Sequence, residues 1–100
     1  MKTIEKRVAE KDKAIIKKSY PNGIKKKFED LLKDIAENPR DLKAIGNPEE
    51  LKYTEKEMYS RELTKKDRIV YGIEPGVNYN KPNEEEIIVF YQYLGHYLDK

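Results

Sequence analysis

EMYSRELTKKDRIVYGIE, residues 57–74, reads as two β-strands folded back on a polar turn. Glu57–Leu63 is the first strand and Arg68–Glu74 the second, joined by Thr64-Lys65-Lys66-Asp67. Along the second, Ile69, Tyr71 and Ile73 fall on one face and Arg68 and Val70 on the other, the period of two that a pleated strand imposes. Downstream, Glu86–Leu94 contains IIVFYQY, a β-branched and aromatic run of the kind buried on both faces of a sheet. GVNYNKPNE (76–84), with its Gly, Asn and Pro, is the loop between these last two strands.

Upstream the period changes. Ile24, Phe28, Leu31, Leu32 and Ile35 fall at helical spacing on one apolar face, which predicts a helix over 24–36. Pro21-Asn22-Gly23 forms the turn before it, and Asn38-Pro39 ends it, because proline pushes the preceding residue out of the helical region. A second helix is expected over 5–18, with Val8, Ile15 and Ile16 on its apolar side, Ile4 just before it, and Lys11 and Asp12 interrupting the stripe. Met1–Ile4 is a candidate short strand. Two helices followed by three or four antiparallel strands make an α+β fold, the helices packed on one face of a small antiparallel sheet. One hundred residues make this a single domain, 1–100.

Composition narrows the function classes. Charged residues are 40% of the chain and hydrophobic residues 37%, so the core is small. There is no cysteine, which removes disulfides and thiolate metal sites. No apolar run approaches bilayer-spanning length, and MKTIEKRVAEK lacks a signal-peptide core, so the expectation is a soluble cytoplasmic protein with no membrane partner. The net charge of +2 is uneven: residues 1–45 carry 13 Lys/Arg against 8 Asp/Glu, and residues 46–100 carry 8 against 11. A basic half attracts phosphate backbones, although a Lys/Glu-rich helix surface is also what plain solvation produces.

The polar residues of the second half form an ordered set: Glu49 and Lys52 in GNPEELK (46–52), Ser60 and Arg61 in YSREL (59–63), Arg68 and Tyr71 in DRIVY (67–71), and His96 and Tyr97 in GHY (95–97). Cutting RNA without a metal needs a base for the ribose 2′-OH, a cation for the phosphorane, and an acid for the departing 5′-oxygen. Glu49 is the candidate base, Arg68 and Arg61 the candidate charge stabilisers, and His96 the candidate acid. Tyr97, Lys52 and Tyr71 are suited to positioning phosphate or stacking on bases. Taken singly, each residue also suits an ordinary surface, strand edge or core. The order in which they come is what distinguishes the set.

That order, GNPEELK, then SRELTKKDRIVY, then GHY, resembles the Txe/YoeB branch of the RelE superfamily of bacterial toxins. Its members show G-x-P-E-x-L-K, a W-S-R-R-I-like strand, H-R-L-V-Y and a closing H-Y. The helix IKKKFEDLLKDIAENP resembles the family's second helix, so the similarity spans about residues 24–97. It implies a RelE-like α+β fold, a cognate antitoxin, and ribosome-dependent, metal-independent cleavage of mRNA with no cofactor; a homodimer is among the assemblies it suggests. Carried over by position, it implies Glu49 as general base, Arg68 as transition-state arginine, His96 as general acid and Tyr97 beside it. Ser60 and Arg61 match the S-R pair and Lys52 the motif lysine. Tyr59 stands where tryptophan is usual, Glu62 where a second arginine is usual, and Asp67 where histidine is usual. Two other readings belong to different classes: a toxin of the same fold that poisons DNA gyrase by binding, and a catalytically silent binding protein.

Overall fold

The computed structural model describes residues 2–52, 55–76 and 85–95. The elements run β1 (Lys2–Glu5), α1 (Arg7–Ser19), α2 (Asn22–Glu37), β2 (Glu49–Glu50), β3 (Met58–Thr64), β4 (Asp67–Pro75) and β5 (Glu86–Gln92). The five strands form one sheet in the order β1-β5-β4-β3-β2. This is the expected α+β arrangement, with both helices on one sheet face. Two features refine it. β2, only two residues long, extends the sheet beyond β3. β1 runs parallel to β5, with Lys2 opposite Ile87 and Glu5 opposite Phe90, so the sheet is mixed rather than wholly antiparallel. A parallel pair needs a crossover, and the two helices begin the long connection between these strands.

The predicted hairpin is present, with Met58 opposite Gly72, Ser60 opposite Val70, and Glu62 opposite Arg68. From Met58 to Leu63 in β3 and along β4, odd-numbered residues face the helices and even-numbered ones face away. The core therefore joins Tyr59, Leu63, Ile69, Tyr71 and Ile73 to Phe28, Leu31 and Ile35 of α2 and Ala9 and Ile16 of α1, with Ile88 and Phe90 completing it from β5. The open face carries a smaller apolar group of Leu51, Met58 and Val70, with Tyr91 against it.

α2 buries the face that the spacing predicts and stops at Asn38, whose N–H bonds the Asp34 carbonyl. Pro21 caps its start, so Asn22 and Gly23 lie in its first turn rather than before it. α1 corrects the expected stripe. Val8 and Ile15 are exposed, as is Ile4, and the buried residues are Ala9 and Ile16. Asp12 lies between them at helical spacing, so the acid that seemed to interrupt the apolar face belongs to the packed one. Its carboxylate accepts the backbone N–H groups of Tyr93 (3.0 Å) and Leu94 (3.2 Å) just after β5. No helix among the described residues is long and apolar enough to cross a membrane.

Candidate functional site

The open face of the β2–β3–β4 corner brings together Glu49, Ser60, Glu62 and Arg68. Glu49 is paired with Ser60 across β2 and β3, and Glu62 with Arg68 across β3 and β4, so all four side chains share one side of the sheet. The Arg68 guanidinium is held along one edge. Its Nε donates to Ser60 Oγ at 2.9 Å, and its Nη2 to the Asn47 carbonyl at 2.8 Å and more weakly to the Ser60 carbonyl. Glu49 Oε2 lies 3.9 Å from Nη2, and Glu62 Oε1 lies 3.7 Å from Nη1. Arg68 is thus fixed in orientation by neutral acceptors and flanked by two carboxylates. Glu49 is largely solvent-accessible, with 64% of its side chain exposed, as a group that meets a substrate must be.

The turn before β2 sets this geometry. Gly46 and Asn47 both have positive φ, 83° and 46°, a conformation that glycine adopts freely and asparagine tolerates. A Cβ on Gly46 would come within 2.6 Å of Leu31 Cδ2, so a larger residue would displace the Leu31 side chain and strain the backbone at its positive φ. The Gly46 carbonyl accepts the Glu62 N–H, and the next carbonyl, that of Asn47, reaches Arg68. The turn therefore links α2 to the site and supplies one of its acceptors. Lys52, two residues beyond β2, is exposed beside the same corner.

Arg61 and Tyr71 do not join this cluster. Both were expected to contact RNA, and the structure places both fully buried on the helix-facing side, away from the open face. Arg61 pairs with Asp34 of α2 and donates to the carbonyls of Asn38 (2.7 Å) and Ile45 (3.4 Å). Tyr71 stacks on Tyr59 with ring centroids 5.7 Å apart and donates to the Pro39 carbonyl at 2.7 Å. Burial pushes the Tyr71 phenol above its ordinary range, although nearby Arg61 works against this. Both residues tie the loop after α2 to the sheet.

His96 and Tyr97 lie outside the described residues, as does most of the 76–84 loop. The described chain ends at Gly95, whose carbonyl accepts the Arg68 backbone N–H at 2.9 Å and whose N–H donates to Asp67 Oδ1 at 2.9 Å. Asp67 is buried and also accepts from Tyr20 and Thr64, both at 2.8 Å. Burial alone would raise its pKa, but these donors outweigh burial and hold it below the ordinary aspartate value. Burial and the Asp67 carboxylate push Tyr20 up to about 12. With Asp12, this carboxylate fixes the turn 93–95. The sequence carried signals for both acids, Asp12 by interrupting an apolar stripe and Asp67 by departing from the family pattern. Asn47 acts through its backbone carbonyl, which no side-chain motif reveals. Among the described residues, no group of three or more His, Asp or Glu is placed to hold a metal ion.

Comparison with known structures finds close relatives of this fold. The YoeB/ParE toxin from Agrobacterium tumefaciens superposes with a TM-score of 0.76 at 24% identity, covering 97% of this chain and 100% of that one. A YoeB dimer from Staphylococcus aureus gives 0.72 at 28% identity, covering 97% and 98%. The toxin in a heterotetrameric YoeB–YefM toxin–antitoxin complex from Staphylococcus aureus gives 0.69 at 28% identity, with the same coverage. Comparison with curated protein sequences finds no match. Residues 7–97 match the family model of the YoeB-like toxin of bacterial type II toxin–antitoxin systems, and the chain belongs to that family.

Proposed function

We propose that this toxin is a metal-independent endoribonuclease that cuts mRNA on the ribosome and thereby inhibits translation. The observation that carries the reading is the Arg68 guanidinium, held by Ser60 and the Asn47 carbonyl with Glu49 3.9 Å away on an open sheet face. In this scheme Glu49 removes the 2′-OH proton and O2′ bonds to phosphorus. Arg68 stabilises the charge of the phosphorane, and the P–O5′ bond breaks as His96 protonates the leaving oxygen. The products are a 2′,3′-cyclic phosphate and a 5′-hydroxyl. Tyr97 and Lys52 position the phosphate, and Ser60 orients Arg68. His96 follows Gly95 in sequence, and Gly95 is bonded to the backbone of Arg68 itself. Arg61 and Tyr71, expected in the same role, have no part in it.

The partners in this reading are ribosome-bound mRNA and a cognate antitoxin that lays an acidic segment over the open face, neutralising Arg68 and Lys52. Relatives form YoeB–YefM complexes and YoeB dimers, which supports an antitoxin and a homodimer as states of this chain too. Primer extension on ribosome-bound mRNA tests the activity. Wild type is expected to cleave, and Arg68→Ala to lose about a hundredfold or more of the rate, as when an oxyanion donor is removed. Glu49→Gln and His96→Ala are expected to lose cleavage while remaining folded. Folded wild-type protein that leaves the mRNA intact refutes the assignment.

A further inference from the structure

Five N–H bonds radiate from the Arg68 guanidinium, and three of its contacts, to Ser60 Oγ, the Ser60 carbonyl and the Asn47 carbonyl, use Nε and Nη2. Among the described residues the Nη1 edge carries no hydrogen bond, and Glu62 stands at it. Glu62 is the direct cross-strand partner of Arg68, with Oε1 3.7 Å from Nη1. That separation is an ion pair without a hydrogen bond, loose enough to be displaced. Among the described residues the Glu62 carboxylate makes no other polar contact, and about a third of its surface remains exposed. Glu49 and Glu62 together set two negative charges against the single positive charge of Arg68.

We propose that Glu62 is a built-in competitor of the substrate phosphate for the Nη1 edge of Arg68, and so sets how weakly the site holds RNA. The inference rests on the cleavage reading for its substrate, and on the cross-strand geometry for its mechanism. A phosphodiester approaching Nη1 must displace the Glu62 carboxylate or share the guanidinium with it, and the two anions repel. An ordinary exposed cross-strand pair would affect stability alone. A competitor instead changes KM and leaves kcat in place, because Glu62 touches no atom that forms or breaks a bond.

The test compares wild type with Glu62→Gln and Glu62→Ala in two assays. In cleavage of ribosome-bound mRNA, both variants are expected to lower KM about tenfold, a value between the water and protein-surface limits for two like charges a few ångströms apart. Their kcat should stay within about twofold of wild type, since binding energy shared by ground and transition states moves KM alone. In the second assay, inorganic phosphate is titrated while the backbone amides of Ser60 and Arg68 are followed by NMR. Glu62→Gln is expected to bind about tenfold more tightly than wild type. Glu62→Gln with Arg68→Ala is expected to lose that gain, as residues acting on one ligand do in a double-mutant cycle. Cleavage by wild type with an unchanged KM in both Glu62 variants overturns the inference and leaves the nuclease reading standing. Tighter phosphate binding without RNA cleavage by any of the proteins supports the competitor role and refutes the nuclease reading. Phosphate binding that is equal in wild type and Glu62→Gln, or absent from both, overturns the inference.

Discussion

Asp34→Ala should destabilise this protein more than Arg61→Met does, although the second change removes the larger side chain. Arg61 has no exposed surface, and its charge is answered by Asp34 and by the carbonyls of Asn38 and Ile45. Its Nε is buried without a hydrogen-bond partner among the described residues. Truncating Asp34 leaves a buried guanidinium with carbonyl dipoles only. Losing one member of a buried ion pair costs about 3–5 kcal/mol. Asp34 keeps 25% of its side chain exposed, so water enters when it is truncated, and the expected loss is about 2–3 kcal/mol. Arg61→Met forfeits two hydrogen bonds to carbonyls, worth about 1 kcal/mol each, but removes a buried charge and the unpartnered Nε, so its net cost should be about 1 kcal/mol. Urea unfolding followed by circular dichroism, extrapolated linearly to water, measures the difference. In thermal melts Asp34→Ala should lower Tm by about 10–20 °C for a domain of this size. The double variant should be more stable than Asp34→Ala alone, because no stranded charge remains. If Asp34→Ala costs no more than Arg61→Met, Arg61 is not a buried charge dependent on Asp34.

Asp67→Asn is expected to lower stability by about 1–2 kcal/mol at neutral pH through poorer pairing of the groups Asp67 accepts from. The folded-state pKa of Asp67 is depressed, so its contribution is complete above the unfolded value of about 4 and is lost as pH falls through the lower folded value. The gap between wild type and variant in urea melts should therefore narrow as pH drops below about 4. Tyr20 and Tyr59 behave in the opposite sense. Burial, with Asp67 beside Tyr20 and Glu57 beside Tyr59, raises both to about 12, so the stability they add is complete below about pH 10 and lost as pH rises through about 12. Ultraviolet titration should show a tyrosine phase well above pH 10 that coincides with unfolding; complete ionisation in a single phase near 10 would contradict this. Arg40, which bonds both Glu57 and Glu86 on the surface, should be replaceable by alanine with only a small fall in Tm, and that fall should vanish in high salt.

What the sequence disclosed and what it concealed have physical causes. The hairpin, α2 and β5 were legible because each repeats its period over many residues. β1 is four residues with little burial and no alternation of its own, and it gains its place from parallel pairing with β5, a contact more than eighty residues away in sequence. β2 is two exposed glutamates, which carry no strand signal. Their conformation follows from the Gly46-Asn47 turn and from Ser60 and Tyr59 opposite. In α1 a polarity rule misjudged Asp12, which lies half-buried on the packed side and answers two backbone N–H groups just after β5. Glu49, Ser60 and Arg68 do converge, as their order in the sequence suggested. Tyr71 parts from Arg68 by plain alternation along β4, and Arg61 parts from them for a reason of register.

The separation of Arg61 from Arg68 comes down to one residue. Beside the turn, Thr64 pairs with Asp67, and a regular ladder would continue with Leu63 opposite Arg68 and Arg61 opposite Val70. Arg61 would then share the open face with Arg68. The register instead shifts between Glu62 and Thr64, so that Glu62 stands opposite Arg68 and Arg61 opposite Ile69. Because side chains alternate with period two, this single extra residue exchanges the two faces of β3. With Ile69, Tyr71 and Ile73 already turned to the helices, the regular register would expose Leu63 and Tyr59 and press Glu62 against the core. Burying each large apolar side chain is worth about 1.5–3 kcal/mol, and an unpaired carboxylate in their place would cost more than that. The bulge therefore favours the core. Its consequences are a buried arginine answered by Asp34 and two carbonyls, and a glutamate placed on the open face against Arg68. The packing of Leu63 and Tyr59 thus governs both the stability test on Asp34 and the charge of the candidate site.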